Sequence, residues 1–230
     1  MAESSTAPWT PSTLKQRLAG LRPERRLAGR NISKADVLVY RVDGRLIAVK
    51  DYSARPFLAR HTVGRLLTGR ECRAYEQAGG AAGLAPFLGR LGSMTMATAW
   101  IDAIPLADLP PAAGSPELFD RLDAVVRDLH ERGVAMADLH HRDVLVAEDG
   151  KVHLVDLAMA YVLGPRPGWI RRRVFERLSA QDRLSAARMR ARFTGRPEEE
   201  ALAALDRATL RRWRAGRGIK RFWDRLRGRS

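Results

Sequence analysis

The chain has 230 residues, 45% of them hydrophobic and 7% aromatic, enough for one large domain or two compact lobes and too apolar for a disordered protein. Lys and Arg number 41 against 26 Asp and Glu, and the net charge of +15 favours anionic partners without choosing among nucleic acid, acidic lipid, phosphorylated sugars and nucleotides. The single cysteine, Cys72, excludes an internal disulfide framework and a Cys-rich zinc site, and no apolar run reaches the roughly 18–20 residues of a membrane span.

Residues 1–30 are polar, proline-containing and basic, and read as a loose arm with a short helix near 12–21. No basic stretch followed by an apolar one opens the chain, so no signal peptide is expected and a reducing cytoplasm is the simplest location. From Asp36 the pattern changes. Val37-Leu38-Val39-Tyr40-Arg41-Val42 and Arg45-Leu46-Ile47-Ala48-Val49-Lys50 are two strands around Asp43-Gly44, a strong hairpin signal. Helical spacing over 60–78 (Leu66, Leu67, Ala74, Tyr75) ends at Gly79-Gly80. A second strand pair is expected over 84–91 and 94–101. Proline and glycine then cluster over 105–116, where a break between two lobes is expected. Leu118, Leu122, Val125, Val126 and Leu129 set a helix over 116–132, stopped by Gly133. Another hairpin follows, with Val144-Leu145-Val146 and Val152-His153-Leu154-Val155 around Glu148-Asp149-Gly150. Beyond Gly168 the chain reads as helical and basic.

Three acids are placed around that second hairpin. Asp138 and Asp143 lie in the loop that enters it, and Asp156 follows the strand that leaves it. Such positions are neighbours in space, so the carboxylates converge and repel unless a cation sits among them. Oxygen ligands of this kind suit Mg²⁺, which also takes substrate phosphates. Lys50 ends an apolar strand and needs a counter-charge. Glu71 on the next helix supplies it in preference to Glu76, because Leu67, Glu71, Ala74 and Tyr75 share one helical face. His140 and His141 do not read as a zinc site: as neighbours on an extended loop they face opposite ways, and no third ligand is in evidence. His130 and His153 read as packing or hydrogen-bonding residues, and Cys72 as buried filler.

In this order the motifs resemble the protein-kinase superfamily over about residues 36–195. Ile47-Ala48-Val49-Lys50 is similar to the kinase V-A-I-K, Asp138-Leu139-His140-His141-Arg142-Asp143 to the D-x-x-x-x-N catalytic loop, and Asp156-Leu157-Ala158 to D-F-G. Within the superfamily the chain resembles the small bacterial lipopolysaccharide-kinase group (Kdo and heptose kinases) and RIO-like kinases. The resemblance implies an α+β, two-lobed protein-kinase-like fold, with a small β-rich N-lobe over 31–107 and a reduced, mostly helical C-lobe over 108–205. It implies ATP and Mg²⁺ as cofactors. Asp138 would orient or deprotonate the acceptor hydroxyl, and Asp143 and Asp156 would hold Mg²⁺ against the phosphates. Lys50, held by Glu71, would neutralise those phosphates, and the hinge residues Trp100, Ile101 and Asp102 would meet adenine. The acceptor implied is a sugar hydroxyl of a lipopolysaccharide-type glycolipid or a protein Ser/Thr.

Three departures leave room for an alternative, a nucleotide-binding pseudokinase that regulates a partner by contact. No G-x-G-x-x-G precedes Tyr40, leaving Gly29-Arg30-Asn31-Ile32-Ser33-Lys34-Ala35 to cover the phosphates. Asp143 stands where asparagine is usual, and Met136-Ala137 replaces the usual anchor before the catalytic aspartate. The tail over 206–230 is basic, and its Ile219, Phe222, Trp223 and Leu226 fall at i, i+3, i+4, i+7. Two readings of it stand side by side: an anchor on an anionic membrane, at the inner face of the bacterial inner membrane, or a helix docked on the C-lobe. A nucleic-acid role ranks third, for want of a reader fold.

Overall fold

The computed structural model describes residues 9–29, 34–110 and 114–203. Its first layer is a five-stranded antiparallel sheet in the order β1-β2-β3-β5-β4. It comprises β1 (Arg25–Leu27), β2 (Asp36–Val42), β3 (Arg45–Asp51), β4 (Phe87–Arg90) and β5 (Thr95–Ala99). The β2–β3 hairpin closes through Asp43 and Gly44 at φ 49° and 78°, the positive pair that a two-residue turn needs and that Asp-Gly supplies at low cost. Alternation along β3 sends Ile47 and Val49 to one face and Lys50 to the other.

The first face is covered by helix α1 (Pro11–Leu18). Thr10 caps α1 by accepting the Thr13 N–H, and its Leu14 is fully buried against Val42, Ile47 and Val49. Trp9 Nε1 and Arg17 both bond Asp43 in the hairpin turn. The stretch expected as a loose arm is thus docked, because the apolar outer face of the sheet requires cover. Across the other face runs a continuous helical rod. It begins as α2 (Phe57–Ala59), passes through a π-turn over Arg60–Gly64 and continues as α3 (Arg65–Ala78). The rod ends at Gly79, whose left-handed φ of 55° lets its N–H reach Tyr75 O.

Trp100, Ile101 and Asp102 carry the chain from β5 to β6 (Ala103–Pro105). β6 already pairs with β8 (Val144–Ala147), which pairs with β9 (Val152–Leu154). The change of lobe therefore falls at 100–102, ahead of the proline- and glycine-rich stretch where the break was expected. Helix α4 (Pro116–Glu131) is capped by Ser115 and buries Leu118, Phe119, Leu122, Val126 and Leu129 in the main core. Next comes β7 (Val134–Ala135), paired with β10 (Tyr161–Val162). Helices α5 (Trp169–Thr194) and α6 (Glu198–Ala203) complete the lobe. No helix among the described residues is long and apolar enough to cross a membrane. The basic tail over 206–230 and Arg30, Asn31, Ile32 and Ser33 of the expected phosphate-covering loop lie outside the described residues.

Candidate active site

The site forms where β3, α3 and the root of the β8–β9 hairpin meet. Lys50 turns from the sheet toward α3, and its Nζ lies 2.5 Å from Glu71 Oε1 and 3.5 Å from Asp156 Oδ1. Glu71 is 1% exposed, while Glu76 of the same helix is exposed, so the lysine meets the acid on the inward face. Burial would discharge Lys50, but the carboxylates of Glu71 and Asp156 outweigh it and raise its pKa. It therefore stays an ammonium. Burial also raises Glu71, with Lys50 opposing the rise.

The hairpin root brings the other acids in. Val155 N–H donates to Asp143 O at 2.9 Å, which sets Asp143 beside Asp156. The Asp143 carboxylate accepts the His140 N–H at 3.2 Å. Burial, then the charge of Asp156, pushes Asp143 up to about 7, against the lowering effect of Lys34, the His140 N–H and Lys50. Asp156 goes the other way. Burial would raise it, yet Lys50 and Lys34 hold it at about 2. Protein cations outweigh burial at Asp156 but only partly offset it at Asp143, the electrostatic condition of a pair that accepts a further cation. Two neighbouring carboxylates suit Mg²⁺, which seldom uses an all-protein cage. Among the described residues no group of three or more His, Cys, Asp or Glu side chains gathers to hold a metal, here or elsewhere, so a cation at this pair would depend on ligands the protein does not supply.

Asp138 is exposed, between Ala137 and the buried Leu139. Its position is fixed by the backbone before it. Met136 N–H donates to Asp182 Oδ2 at 2.8 Å and Ala137 N–H to Asp182 Oδ1 at 3.0 Å, while His130 Nε2 lies 3.0 Å from the same carboxylate. Ala137 takes φ 67° and Asp156 φ 65°. A left-handed alanine costs roughly 1–2 kcal/mol, and such strain persists only where the surroundings over-determine it. Here charge-assisted bonds to Asp182 do so. The Met136-Ala137 sequence therefore does not leave the loop before Asp138 without an anchor, because this anchor is made through backbone N–H groups that any residue but proline supplies.

Two polar residues of this site were not singled out from sequence. Asp182 belongs to a buried stripe of α5, Ser179, Asp182, Ala186, Met189 and Phe193, and an acid within a 3.6-period apolar stripe is the signal that marks it. Lys34 reaches Asp156 Oδ2 at 2.6 Å from a segment with no regular secondary structure, and no periodicity announces it. His130 takes the hydrogen-bonding role expected of it. His140 and His141 do not face opposite ways: their ring centroids lie 3.9 Å apart with the planes tilted by 36°, because the loop turns there instead of extending. Trp100, Ile101 and Asp102 lie on the crossing between lobes, where Trp100 N–H donates to Leu46 O at 3.0 Å. Cys72 is buried, and that burial raises its thiol to about 11.

No protein-family model matches the chain, and no curated protein does. Solved structures do. Rio2 kinase from Chaetomium thermophilum, in a complex with ADP/Mg²⁺ and a phosphoaspartate, superposes with a TM-score of 0.56 at 13% identity, over 85% of this chain and 65% of that one. A second Rio2 kinase structure from the same organism gives 0.60 at 14% identity, over 86% of this chain and 67% of that one. The chain thus spans about two thirds of the length of these kinases. A likeness at this level of identity speaks for architecture. The fold is protein-kinase-like: an α+β protein with a β-sheet N-lobe and a mainly helical C-lobe.

Proposed function

We infer that the chain is an ATP-dependent phosphotransferase with a hydroxyl acceptor. The observation that carries this reading is the line Glu71–Lys50–Asp156, with Asp143 set beside Asp156 by the hairpin root. Phosphoryl transfer asks mainly for positioning and charge compensation, and each residue has a part in that. Lys50, steadied by Glu71, neutralises nucleotide phosphates. Asp143 and Asp156 would hold Mg²⁺, which when bound would supply charge neutralisation at the phosphates. Exposed Asp138 orients the acceptor hydroxyl or takes its proton. Trp100, Ile101 and Asp102 line the adenine end. Lys34 occupies the Asp156 carboxylate at 2.6 Å, so it would compete there with a metal and, displaced, would meet the phosphates. That Rio2 kinase was crystallised with ADP and Mg²⁺ supports the choice of cofactors.

The acceptor we favour is a sugar hydroxyl of a lipopolysaccharide-type glycolipid, with a protein Ser/Thr as the competing class. The segment after Asp156 supports a small-molecule acceptor. Arg70 donates to Met159 O and Ala160 O, Leu163 N–H to Gly133 O, and Arg171 to Val162 O. Held by these bonds, the segment needs no phosphorylation to order it. A pseudokinase is the second reading, favoured by the aspartate at 143 and by Lys34 seated on Asp156. Purified protein decides between them. Turnover of Mg-ATP lost in Asp138→Ala and Asp156→Ala supports the enzyme, whereas nucleotide-dependent thermal stabilisation without turnover supports the pseudokinase.

A further inference from the structure

Most of the exposed large apolar side chains among the described residues fall in two stretches, residues 57–66 and 159–174, the second of which begins three residues after Asp156. In the first, Phe57, Leu58 and Leu66 are 64%, 75% and 58% exposed. In the second, Met159, Trp169 and Ile170 are 48%, 73% and 60% exposed. Single apolar residues in water need no explanation, but a group of them rimmed by polar residues marks a contact surface.

The charge of the same stretches is nearly all of one sign. Residues 57–70 hold three arginines and no acid, and residues 157–177 hold five arginines and one glutamate. Eight positive charges against one negative give +7 of the chain's +15. The stretches meet where Arg70, one turn beyond Leu66, donates to Met159 O at 3.1 Å. Within the second stretch, Arg171 donates to Val162 O at 3.0 Å. At 100° per residue, Trp169, Ile170, Arg173, Val174 and Arg177 occupy one sector of α5 about 140° wide. Phe175 turns the opposite way, with its ring 6.2 Å from that of His130.

We propose that this face docks on an anionic phospholipid bilayer, so that the cleft opens at the level of the headgroups. Exposed Trp and aliphatic side chains interleaved with arginine, with acids all but excluded, are what an interfacial surface requires. Arginine stems lie along the apolar boundary while their guanidinium groups meet lipid phosphates. A nucleic acid would satisfy the arginines but leave Leu58 and Ile170 in water. The surface differs from the 210–230 tail in place and in consequence, since it flanks the reaction centre and would present a membrane-resident amphiphile to Asp138. Only that last consequence rests on the phosphotransferase reading.

The test is co-sedimentation of the whole chain, without nucleotide, with vesicles of phosphatidylcholine alone or mixed with phosphatidylglycerol. Two double variants accompany it, Trp169→Ser/Ile170→Ser and Arg173→Glu/Arg177→Glu, all at exposed positions of α5. The wild type is expected to bind the anionic vesicles and not the neutral ones. Each variant should lose binding by roughly tenfold or more, with its unfolding midpoint and nucleotide-dependent stabilisation unchanged. Failure of the wild type to bind anionic vesicles overturns the proposal. So does undiminished binding by both variants, which would put the anchor elsewhere in the chain, and so does preference for RNA or an acidic protein over vesicles. A failed phosphotransferase reading would appear separately, as absent ATP turnover in protein that still binds vesicles.

Discussion

Replacing Lys50 by Met keeps most of the side-chain volume and removes the charge. Glu71, 1% exposed, then loses its partner at 2.5 Å, and Asp156 loses a cation at 3.5 Å. Removing one member of a buried ion pair costs about 3–5 kcal/mol, because the partner is left as an uncompensated buried charge. The lysine side chain is 22% exposed, so water already screens that end of the pair, and the lower figure of about 3 kcal/mol applies. For a chain of this size that is a fall of roughly 6–12 °C in Tm. The stranded Glu71 has an escape, since burial already raises its pKa and protonation removes the charge. The variant should therefore lose more stability at pH 8 than at pH 5. Adding Glu71→Gln removes the stranded charge outright, and Lys50→Met/Glu71→Gln should regain about 1 kcal/mol or more over Lys50→Met alone. Urea unfolding followed by circular dichroism at both pH values measures all three quantities. A loss below about 1 kcal/mol for Lys50→Met, or strict additivity of the two substitutions, would refute the buried, coupled pair.

Asp143 makes a second prediction. Its folded pKa of about 7 is raised above the ordinary carboxylate value of 3.8, so the native state binds more protons than the unfolded one between these limits. Its contribution to stability is therefore greatest below pH 4 and is lost as pH rises to 7, with a slope of up to about 1.4 kcal/mol per pH unit. Asp143→Asn should flatten the stability profile between pH 5 and 8 relative to wild type, and an unchanged difference curve would count against the partly compensated carboxylate. Asp182→Asn keeps the side-chain shape but turns a donor toward the Met136 or Ala137 N–H; a loss of about 1–3 kcal/mol is expected, with a fall in ATP turnover larger than the fraction unfolded explains. Lys34→Met removes the ammonium 2.6 Å from Asp156, and should tighten Mn²⁺ binding without nucleotide by roughly tenfold, read by electron paramagnetic resonance, while weakening nucleotide binding. Equal Mn²⁺ affinity in the two proteins would show that Lys34 does not compete for the site.

Local chemistry made much of this legible. The Asp43-Gly44 turn, the alternation that turns Lys50 away from Ile47 and Val49, and the hairpin that sets Asp143 beside Asp156 all follow from rules acting over a few residues. The preference for Glu71 over Glu76 also rests on helical period alone. What sequence hid depends on distant packing. The docking of Leu14 depends on an apolar face built by Val42, Ile47 and Val49, 28 and more residues later. Asp182 acts across 45 residues on backbone groups just before Asp138, so the side chains at 136 and 137 carry no trace of the bond. Lys34 reaches Asp156 across 122 residues. The lobe boundary was misplaced because Pro105 and its neighbours advertise a break, whereas the pairing of β6 with β8 is non-local.

The central claim is that Asp138 and Asp156 serve one reaction in different capacities, and single-turnover measurement with labelled ATP and Mg²⁺ on wild type, Asp138→Asn and Asp156→Asn tests it most directly. Asp138→Asn should bind Mg-ATP as the wild type does and transfer phosphate about 10² to 10⁴ times more slowly, the range a positioned acid or base supplies. Asp156→Asn should lose metal-dependent nucleotide binding itself. Phosphate transfer by Asp138→Asn at the wild-type rate, or Mg²⁺-dependent nucleotide binding that survives Asp156→Asn undiminished, would contradict the account.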